Sequence, residues 1–219
     1  MKYNYINKNG ESLKVGVYSV YFPNNDLRYR DLQKLIFDKF NIEINQIKWE
    51  GPMDYDGHPN FMNEISNNED VDYLVFFDID AFPMKPDFLQ IILDRVYGKE
   101  TILGIEQRTS HLNNDIYAGP ACFCISKNFY NLLGKPKYNA TGRGDVAEEL
   151  SHICREKNYE ISYLKFDKCE IERWELRPGV MFGNGCVYED LIFHNFHSAS
   201  GGNINIYINN AKKILENEN

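Results

Sequence analysis

Residues 73–77 (YLVFF) form an uninterrupted run of large apolar side chains, and two aspartates, Asp78 and Asp80, follow it almost directly. A β-strand points successive side chains to opposite faces, so a strand without a polar position has to be covered on both sides. Such a strand belongs in the middle of a sheet. The run is also far too short to cross a membrane, which takes about 20 apolar residues in a helix.

Strand-like and helix-like segments alternate along the chain around this run. Strands are predicted over residues 14–22, 42–49, 71–79, 101–107, 119–126, 160–166 and 188–196. Helices are predicted over residues 27–40, 61–65, 86–97, 128–133, 145–157 and 204–215, and a loop over 54–59. The alternation predicts an α/β fold with a mostly parallel central sheet flanked by helices. No repeat or linker interrupts the pattern, so we expect a single domain.

Composition narrows the class of function. The net charge is −8 and no block of Lys or Arg stands out, which argues against nucleic acid binding through a basic face. The five cysteines form an odd set without a Cys-x-x-Cys motif, so we expect reduced, mostly buried thiols. The first residues lack the apolar core of a signal peptide, and no membrane segment is visible. We therefore expect a cytoplasmic protein, located in the host cytoplasm if the chain is viral.

Asp78 and Asp80 lie two positions apart at the end of the predicted central strand. Side chains at i and i+2 of a strand leave the same face, so the two carboxylates are expected side by side. They lie at the carboxyl end of the strand, where open α/β sheets bind ligands. Close carboxylates repel each other unless a cation lies between them, and hard divalent ions prefer oxygen ligands. The pair indicates a metal site that neutralises a diphosphate; the alternative is a solvated pair in a turn.

Four further segments accompany this pair. They are residues 58–63 (HPNFMN), 118–127 (AGPACFCISK), 142–150 (GRGDVAEEL) and 193–198 (FHNFHS). In their order and spacing, the chain over about residues 14–200 resembles the GT-A fold glycosyltransferases, which use nucleotide sugars and carry an Asp-x-Asp motif at the end of a central strand. The narrower resemblance is to small, single-domain glycosyltransferases of large DNA viruses and some bacteria.

The resemblance implies a Rossmann-like GT-A domain over residues 1–219, with a nucleotide-binding half at about 14–110 and an acceptor half at about 111–200. It implies a glycosyltransferase of the hexosyltransferase type. The donor would be a nucleotide diphosphate sugar, with UDP-sugar favoured over GDP- or dTDP-sugar. The acceptor would be a glycan or another hydroxyl compound, and the implied cofactor is Mn²⁺ or Mg²⁺.

The resemblance also implies which residues hold the metal. Asp80 and a late histidine would bind it, and neutral imidazole is an acceptable ligand for a divalent ion. His194 is favoured because it alternates with Phe193 on a predicted strand and precedes a loop, and His197 is secondary. Asp78 would share the metal or contact the ribose or the donor sugar.

The nucleotide is expected over the end of the first strand, where an aromatic ring can stack on a base. The segment at residues 58–63 resembles the short helix that lies beside the nucleotide in the family. The candidate nucleotide-binding residues are Ser19, Val20, Tyr21, Asn24, His58, Asn63 and Asp78. Core packing of Val20 and a turn role for Asn24 are the alternatives.

Asp145 is the candidate general base, which would take the proton from an acceptor hydroxyl if the reaction inverts configuration. Glu149 is its substitute, followed by Glu148. The simpler expectation for Asp145 is that it caps the helix it begins, with Glu148 three residues later. His111 lies in a loop that could reach the acceptor.

Two rival functions follow from the same residues. A nucleotidyltransferase-like enzyme usually needs a Gly-rich loop with Lys or Arg near the first strand, and residues 20–25 (VYFPNN) contain neither. A non-catalytic domain that binds nucleotide sugars or glycans is the second rival. The intact Asp-x-Asp motif and the late histidines argue against it.

Overall fold

The structure is a computed structural model that describes residues 3–6, 10–52, 56–109, 114–196 and 203–217. The helices are α1 (Leu27–Lys39), α2 (Gly57–Asn68), α3 (Phe88–Val96), α4 (Lys127–Leu132), α5 (Glu148–Glu156) and α6 (Ile204–Glu216). The strands are β1 (Tyr3–Ile6), β2 (Ser12–Tyr21), β3 (Asn45–Lys48), β4 (Tyr73–Phe77), β5 (Ala81–Pro83), β6 (Thr101–Arg108), β7 (Ile116–Ser126), β8 (Glu160–Leu164), β9 (Phe166–Lys168), β10 (Ile171–Arg177), β11 (Val180–Asn184), β12 (Cys186–Tyr188) and β13 (Ile192–His194).

A seven-stranded sheet organises the molecule, in the order β1-β2-β4-β7-β6-β8, with β3 also paired to β2. Strands β2, β3, β4, β6 and β8 run in one direction, and β1 and β7 run against them. Five of the seven strands are therefore parallel in direction, which confirms the predicted α/β fold with a mostly parallel central sheet.

The apolar run is β4, and every residue of this strand is buried. Val75 and Phe77 face a cluster that includes side chains of α1, α3 and α6. Leu74 and Phe76 face a second cluster, which includes side chains of α2, α4 and α5. Both faces of the strand are covered, as its composition predicts, and its carboxyl end is fixed between β2 and β7.

A smaller, four-stranded sheet has the order β5-β13-β12-β9. Its strand β5 follows β4 in the sequence. This strand begins at Ala81, directly after the second aspartate, and pairs antiparallel with β13 so that Ala81 lies opposite His194. Strands β10 and β11 form a separate hairpin. The sequence patterns do not predict β1, β5, β9, β10 or β11, because these strands are short or carry many polar residues.

The prediction of one strand over residues 188–196 is wrong. Strand β12 ends at Tyr188, and the chain turns back into β13 at Ile192. Glu189 and Asp190 adopt left-handed backbone conformations, with φ of 51° and 48°. Non-glycine residues adopt this conformation mainly in turns. The Glu189 carboxylate accepts a hydrogen bond from Lys165 N (3.0 Å) and pairs with Arg95, so tertiary contacts stabilise the turn.

The prediction that Asp145 caps the next helix is also wrong, because α5 begins at Glu148 and its cap position is Ala147. The Asp145 carboxylate accepts from Val146 N at 2.8 Å. Ala147 N donates to Tyr138 O (2.8 Å), and Ala147 has a φ of 65°, so the backbone before α5 is not helical. One half of the predicted capping box is present, since Glu148 Oε2 accepts from Asp145 N at 2.9 Å.

Three further predictions are decided by the structure. Residues 57–59, expected as loop, form the first turn of α2, and residues 53–55 lie outside the described part. All five cysteines fall within the described ranges and are free thiols; Cys169 is partly exposed and the other four are buried. None of the helices within those ranges is long and apolar enough to span a bilayer.

Gly104 lies at a shift in the register between β6 and β7. The register shifts after this residue, because Gly104 faces Phe123 whereas Ile105 faces Gly119. A β-carbon on Gly104 would lie 2.7 Å from Ala118 C and 2.8 Å from Gly119 O, both main-chain atoms. Only glycine fits this approach without a shift of the backbone.

We predict that Gly104→Ala destabilises the protein by about 1–3 kcal/mol, the usual cost of forcing extra volume into a packed interior. Urea unfolding followed by circular dichroism would measure the change. Gly142→Ala is the matched control, because a β-carbon there has no atom within 4 Å. An unchanged midpoint for Gly104→Ala would contradict the account of this contact.

Candidate metal and nucleotide site

Asp78 and Asp80 lie in a turn just after β4, rather than on the face of the strand as predicted. Strand β4 ends at Phe77, and Ala81 N donates back to Asp78 O at 3.1 Å. Asp78 N donates to Ala121 O of the neighbouring β7 at 3.2 Å. The turn is bonded to β7 at its first residue and continues into β5 of the smaller sheet at its last. This turn, rather than the alternation of side chains along a strand, brings the carboxylates together.

Asp78, Asp80 and His194 converge at this turn. His194 Nε2 lies 3.4 Å from Asp80 Oδ1 and 3.6 Å from Asp78 Oδ2. One ligand atom from each of the three side chains falls within 4.8 Å of the others. The pairing of β13 with β5 causes this convergence, because it sets His194 opposite Ala81, the residue after Asp80.

The three side chains differ in exposure. His194 and Asp80 are nearly inaccessible, at 3% and 4% of their maximal exposure, whereas 22% of the Asp78 side chain is exposed. Burial raises the pKa of the Asp78 carboxyl, and positive charge on His58 or His194 would lower it. The site is therefore open to solvent through Asp78 and closed behind Asp80.

The donor atoms suit a divalent cation. Asp78 Oδ1 is buried and makes no hydrogen bond within the described part of the chain, although His58 Nε2 lies 3.3 Å from it. A buried polar atom without a partner is costly unless another group satisfies it. Two carboxylates and an imidazole fit Mn²⁺, and Mg²⁺ would accept the carboxylates more readily than the imidazole. Asp78, Asp80 and His194 would hold the ion, and its charge would offset the repulsion between the carboxylates.

His58 lies on the opposite side of Asp78. It occupies the first turn of α2, and its Nε2 is 3.3 Å from Asp78 Oδ1. Asn63, predicted with it, points to another part of the chain: its amide accepts from Tyr138 N at 3.0 Å and donates to Asn139 Oδ1 at 2.8 Å. The structure therefore brings His58 into the site, while Asn63 joins α2 to residues 138–139.

The predicted nucleotide residues at the end of β2 take different positions. Ser19 is buried opposite Phe77, the residue before Asp78, and its hydroxyl has no hydrogen-bond partner among the described residues. Val20 packs into the core, which is the alternative that the sequence analysis gave to nucleotide binding. Tyr21 is partly exposed, with the Arg30 guanidinium 5.3 Å from its ring centroid. Asn24 is exposed in the turn that follows.

Asp145 belongs to the surroundings of Asp78. Burial is the largest cause that raises the pKa of Asp78 and the pKa of the buried Tyr117. The negative charge of the Asp145 carboxylate raises both pKa values further. Glu148 is fully buried and accepts from Thr109 Oγ1 at 2.7 Å. This carboxylate also accepts from Asp145 N, so it holds the turn that carries Asp145.

Glu149 is engaged in an ion pair. Its carboxylate receives hydrogen bonds from Arg143 Nε and an Arg143 terminal nitrogen at 2.9 and 2.5 Å, and Arg143 also contacts Glu156. The hydrogen bonds from Arg143 lower the pKa of Glu149. A carboxylate with a lowered pKa that is already bonded to an arginine is a weaker base, so Glu149 is a poor candidate for proton abstraction.

Two predicted histidines fall outside the described residues. His197 lies in the segment 197–202 and His111 in the segment 110–113. Their roles stay predictions. His152 belongs to α5, and its Nε2 lies 3.1 Å from Arg143 O and 3.5 Å from Glu148 Oε1.

Gln33 is not among the site residues predicted from the sequence. Gln33 is bonded to the main chain of residues 78–81, which we call the aspartate turn. Its amide nitrogen donates to Asp78 O at 2.8 Å and to Ala81 O at 2.7 Å. The signal for it is present in the sequence: Gln33 falls four residues after Tyr29 and three before Ile36, on the buried face of α1. A lone amide on an apolar helical face indicates a buried partner, although the sequence alone does not identify that partner.

No family model matches the chain, and no curated protein matches it significantly. Among solved structures, A197 from STIV is 14% identical, with coverage of 83% of this chain and 95% of that chain and a TM-score of 0.45. A glycosyltransferase involved in glycosylation of the major capsid of PBCV-1 is 8% identical, with coverage of 70% and 81% and a TM-score of 0.42.

A third solved structure is a Bacillus anthracis protein assigned as a glucose-1-phosphate thymidylyltransferase. It is 8% identical, with coverage of 94% of this chain and 96% of that chain and a TM-score of 0.46. Identities and scores this low leave the chemistry of this chain to its own residues.

We predict that Asp80→Asn weakens Mn²⁺ binding by at least about 100-fold, because outer-shell changes alone typically cost 10–100-fold in metal affinity. Titration of the protein with Mn²⁺, with free ion counted by electron paramagnetic resonance, would measure it. Asp70→Asn is the control, since Asp70 is a surface residue with 84% of its side chain exposed. Equal affinity of both variants would rule out Asp80 as a ligand.

Proposed function

We propose that this chain is a metal-dependent glycosyltransferase that moves a sugar from a nucleotide diphosphate sugar, with UDP-sugar as the favoured donor, to a hydroxyl acceptor. The observation that carries the proposal is the convergence of Asp78, Asp80 and His194 at the carboxyl end of the central strand. A buried carboxylate pair with one solvent-facing member suits a bound cation that also contacts an anionic ligand.

The chain's residues would divide the work at the donor. Bound Mn²⁺ or Mg²⁺ supplies Lewis-acid stabilisation of the leaving diphosphate. Asp80 and His194, both nearly inaccessible, form the fixed side of the ion site. Asp78, the exposed member, would share the ion or contact the ribose or sugar, and His58 would orient the Asp78 carboxylate from the other side.

The nucleoside would lie over the end of β2. Ser19 offers a buried hydroxyl close to Asp78 in the sheet, and the partly exposed Tyr21 offers a ring for stacking. Asn24 offers a solvent-facing amide in the following turn. These three positions leave Val20 as a packing residue.

Asp145 would act on the acceptor. In an inverting reaction the acceptor oxygen attacks the anomeric carbon, the bond from that carbon to the diphosphate oxygen breaks, and the diphosphate leaves with the electron pair. The Asp145 carboxylate would take the acceptor proton. Glu148 supports this role by holding the Asp145 main chain, while Arg143 occupies Glu149.

The test of the proposal is a thermal-shift panel of nucleotide sugars, each measured with Mn²⁺ and again with a chelator. A specific donor at 100 times its dissociation constant should stabilise the protein by about 2.7 kcal/mol. We expect a UDP-sugar to do so only with Mn²⁺. Equal shifts with and without metal would contradict metal-dependent donor binding. Release of pyrophosphate from a nucleoside triphosphate and a sugar phosphate would instead support the nucleotidyltransferase alternative.

We predict that Asp145→Asn lowers transfer by about 10²–10⁴-fold, the usual contribution of a general base. Donor affinity and Mn²⁺ dependence should stay unchanged, because Asp145 is not among the ion-binding side chains. Rate measurements with saturating donor, together with a donor thermal shift, would separate the two effects. Transfer at the wild-type rate would place the base elsewhere, and loss of donor binding would move Asp145 to the donor side.

A further inference from the structure

Every main-chain carbonyl of the aspartate turn has a donor. Gln33 Nε2 donates to the carbonyls of the first and last residues of the turn, Asp78 and Ala81. Asn195 N, one residue beyond β13, donates to Asp80 O at 2.9 Å. A longer contact of 3.5 Å joins the Tyr207 hydroxyl of α6 to Ile79 O. The turn is thus held by side chains and main chain from three distant parts of the sequence.

Gln33 makes the shortest of these contacts and makes two of them. It is fully buried in α1, and its amide oxygen accepts from Gln46 Nε2 of β3 at 2.9 Å. The carbonyls of Asp78 and Ala81 can only accept, so the amide nitrogen has to face them. The Gln46 contact agrees with this orientation, because it supplies a donor to the amide oxygen. All hydrogen-bonding groups of the Gln33 amide are therefore occupied.

We propose that Gln33 is a positioning residue of the metal site, an inference that rests on the proposed function. Its amide fixes the turn so that Asp78 and Asp80 converge on His194 before an ion binds. The carboxylates repel each other, and an unsupported turn would separate them. The Gln33 amide nitrogen is bonded to main-chain carbonyls. It therefore acts through the main chain that carries the carboxylates, as outer-shell groups do in other metal sites.

Gln33→Glu is the sharpest substitution. It keeps the shape of the side chain but replaces the NH₂ group by a carboxyl oxygen, which donates at most one hydrogen bond when protonated and none when ionised, so it cannot serve both carbonyls. Gln33→Leu removes the hydrogen bonds without adding charge. We expect both variants to bind Mn²⁺ about 10–100-fold more weakly than the wild type. Titration of the purified full chain, with free Mn²⁺ counted by electron paramagnetic resonance, measures this without any assay of transfer.

A second measurement examines the metal-free protein. Amide hydrogen exchange at residues 78–81 should be faster in both Gln33 variants than in the wild type, because the turn loses its support. Thr101→Val is the matched control: Thr101 is also buried and donates to Glu160 O at 2.9 Å, at the start of β6. We expect this control to leave Mn²⁺ affinity and exchange at residues 78–81 unchanged, even where it lowers overall stability.

The outcomes separate the positioning role from the proposed function. Wild-type Mn²⁺ affinity in a folded Gln33→Glu or Gln33→Leu protein would overturn the positioning role, and so would an equal loss in Thr101→Val. If both Gln33 variants fail to fold, Gln46→Met decides. It keeps Gln33 but removes the donor that orients its amide, together with the bond from Gln46 Nε2 to Arg30 O (2.8 Å). A several-fold loss of affinity supports the role and none overturns it. If the Gln33 variants bind Mn²⁺ more weakly but the wild-type protein transfers no sugar from any donor, the positioning role stands and the glycosyltransferase proposal is rejected.

Discussion

The site depends on holding two carboxylates close together in a largely buried place. Two ionised groups within 4.8 Å of each other repel by roughly 3 kcal/mol at an effective dielectric constant of about 20. The covalent chain does not offset this cost; main-chain hydrogen bonds and the surrounding packing do. Asp78 N donates to a carbonyl of β7, and Asp80 O accepts from Asn195 N, just after β13. The Gln33 amide joins the two ends of the turn. A cation would then relieve the repulsion that these contacts leave in place.

The rest of the fold explains how distant residues reach this turn. The central strand β4 is buried on both faces, so its carboxyl end has a fixed position. The small sheet carries His194 to Asp80 through the pairing of β5 with β13, although the two residues lie far apart in sequence. Helix α2 starts beside the turn and presents His58. Each of these elements therefore positions one functional side chain, and all of them pack around the end of the central strand.

The sequence predicts those parts that depend on local pattern. An apolar run specifies β4, and helical periodicity specifies α1 and α6. It does not predict the small sheet, because β5 and β13 have only three residues each and owe their stability to pairing. The left-handed Glu189 and Ala147 escape prediction for a related reason: tertiary hydrogen bonds, rather than residue type, stabilise their backbone. The Asp78 and Asp80 pair was visible from spacing, whereas its support by Gln33 requires knowledge of how α1 packs on the turn.

The most direct measurement is the anomalous diffraction of a crystal grown with Mn²⁺ and UDP. The account predicts one manganese peak at coordination distance, about 2.0–2.6 Å, from a carboxylate oxygen of Asp80 and from His194 Nε2, in contact with the diphosphate. Asp78 should lie beside the same peak. An ordered UDP with manganese bound to other residues, or with none beside Asp80 and His194, would contradict the central claim.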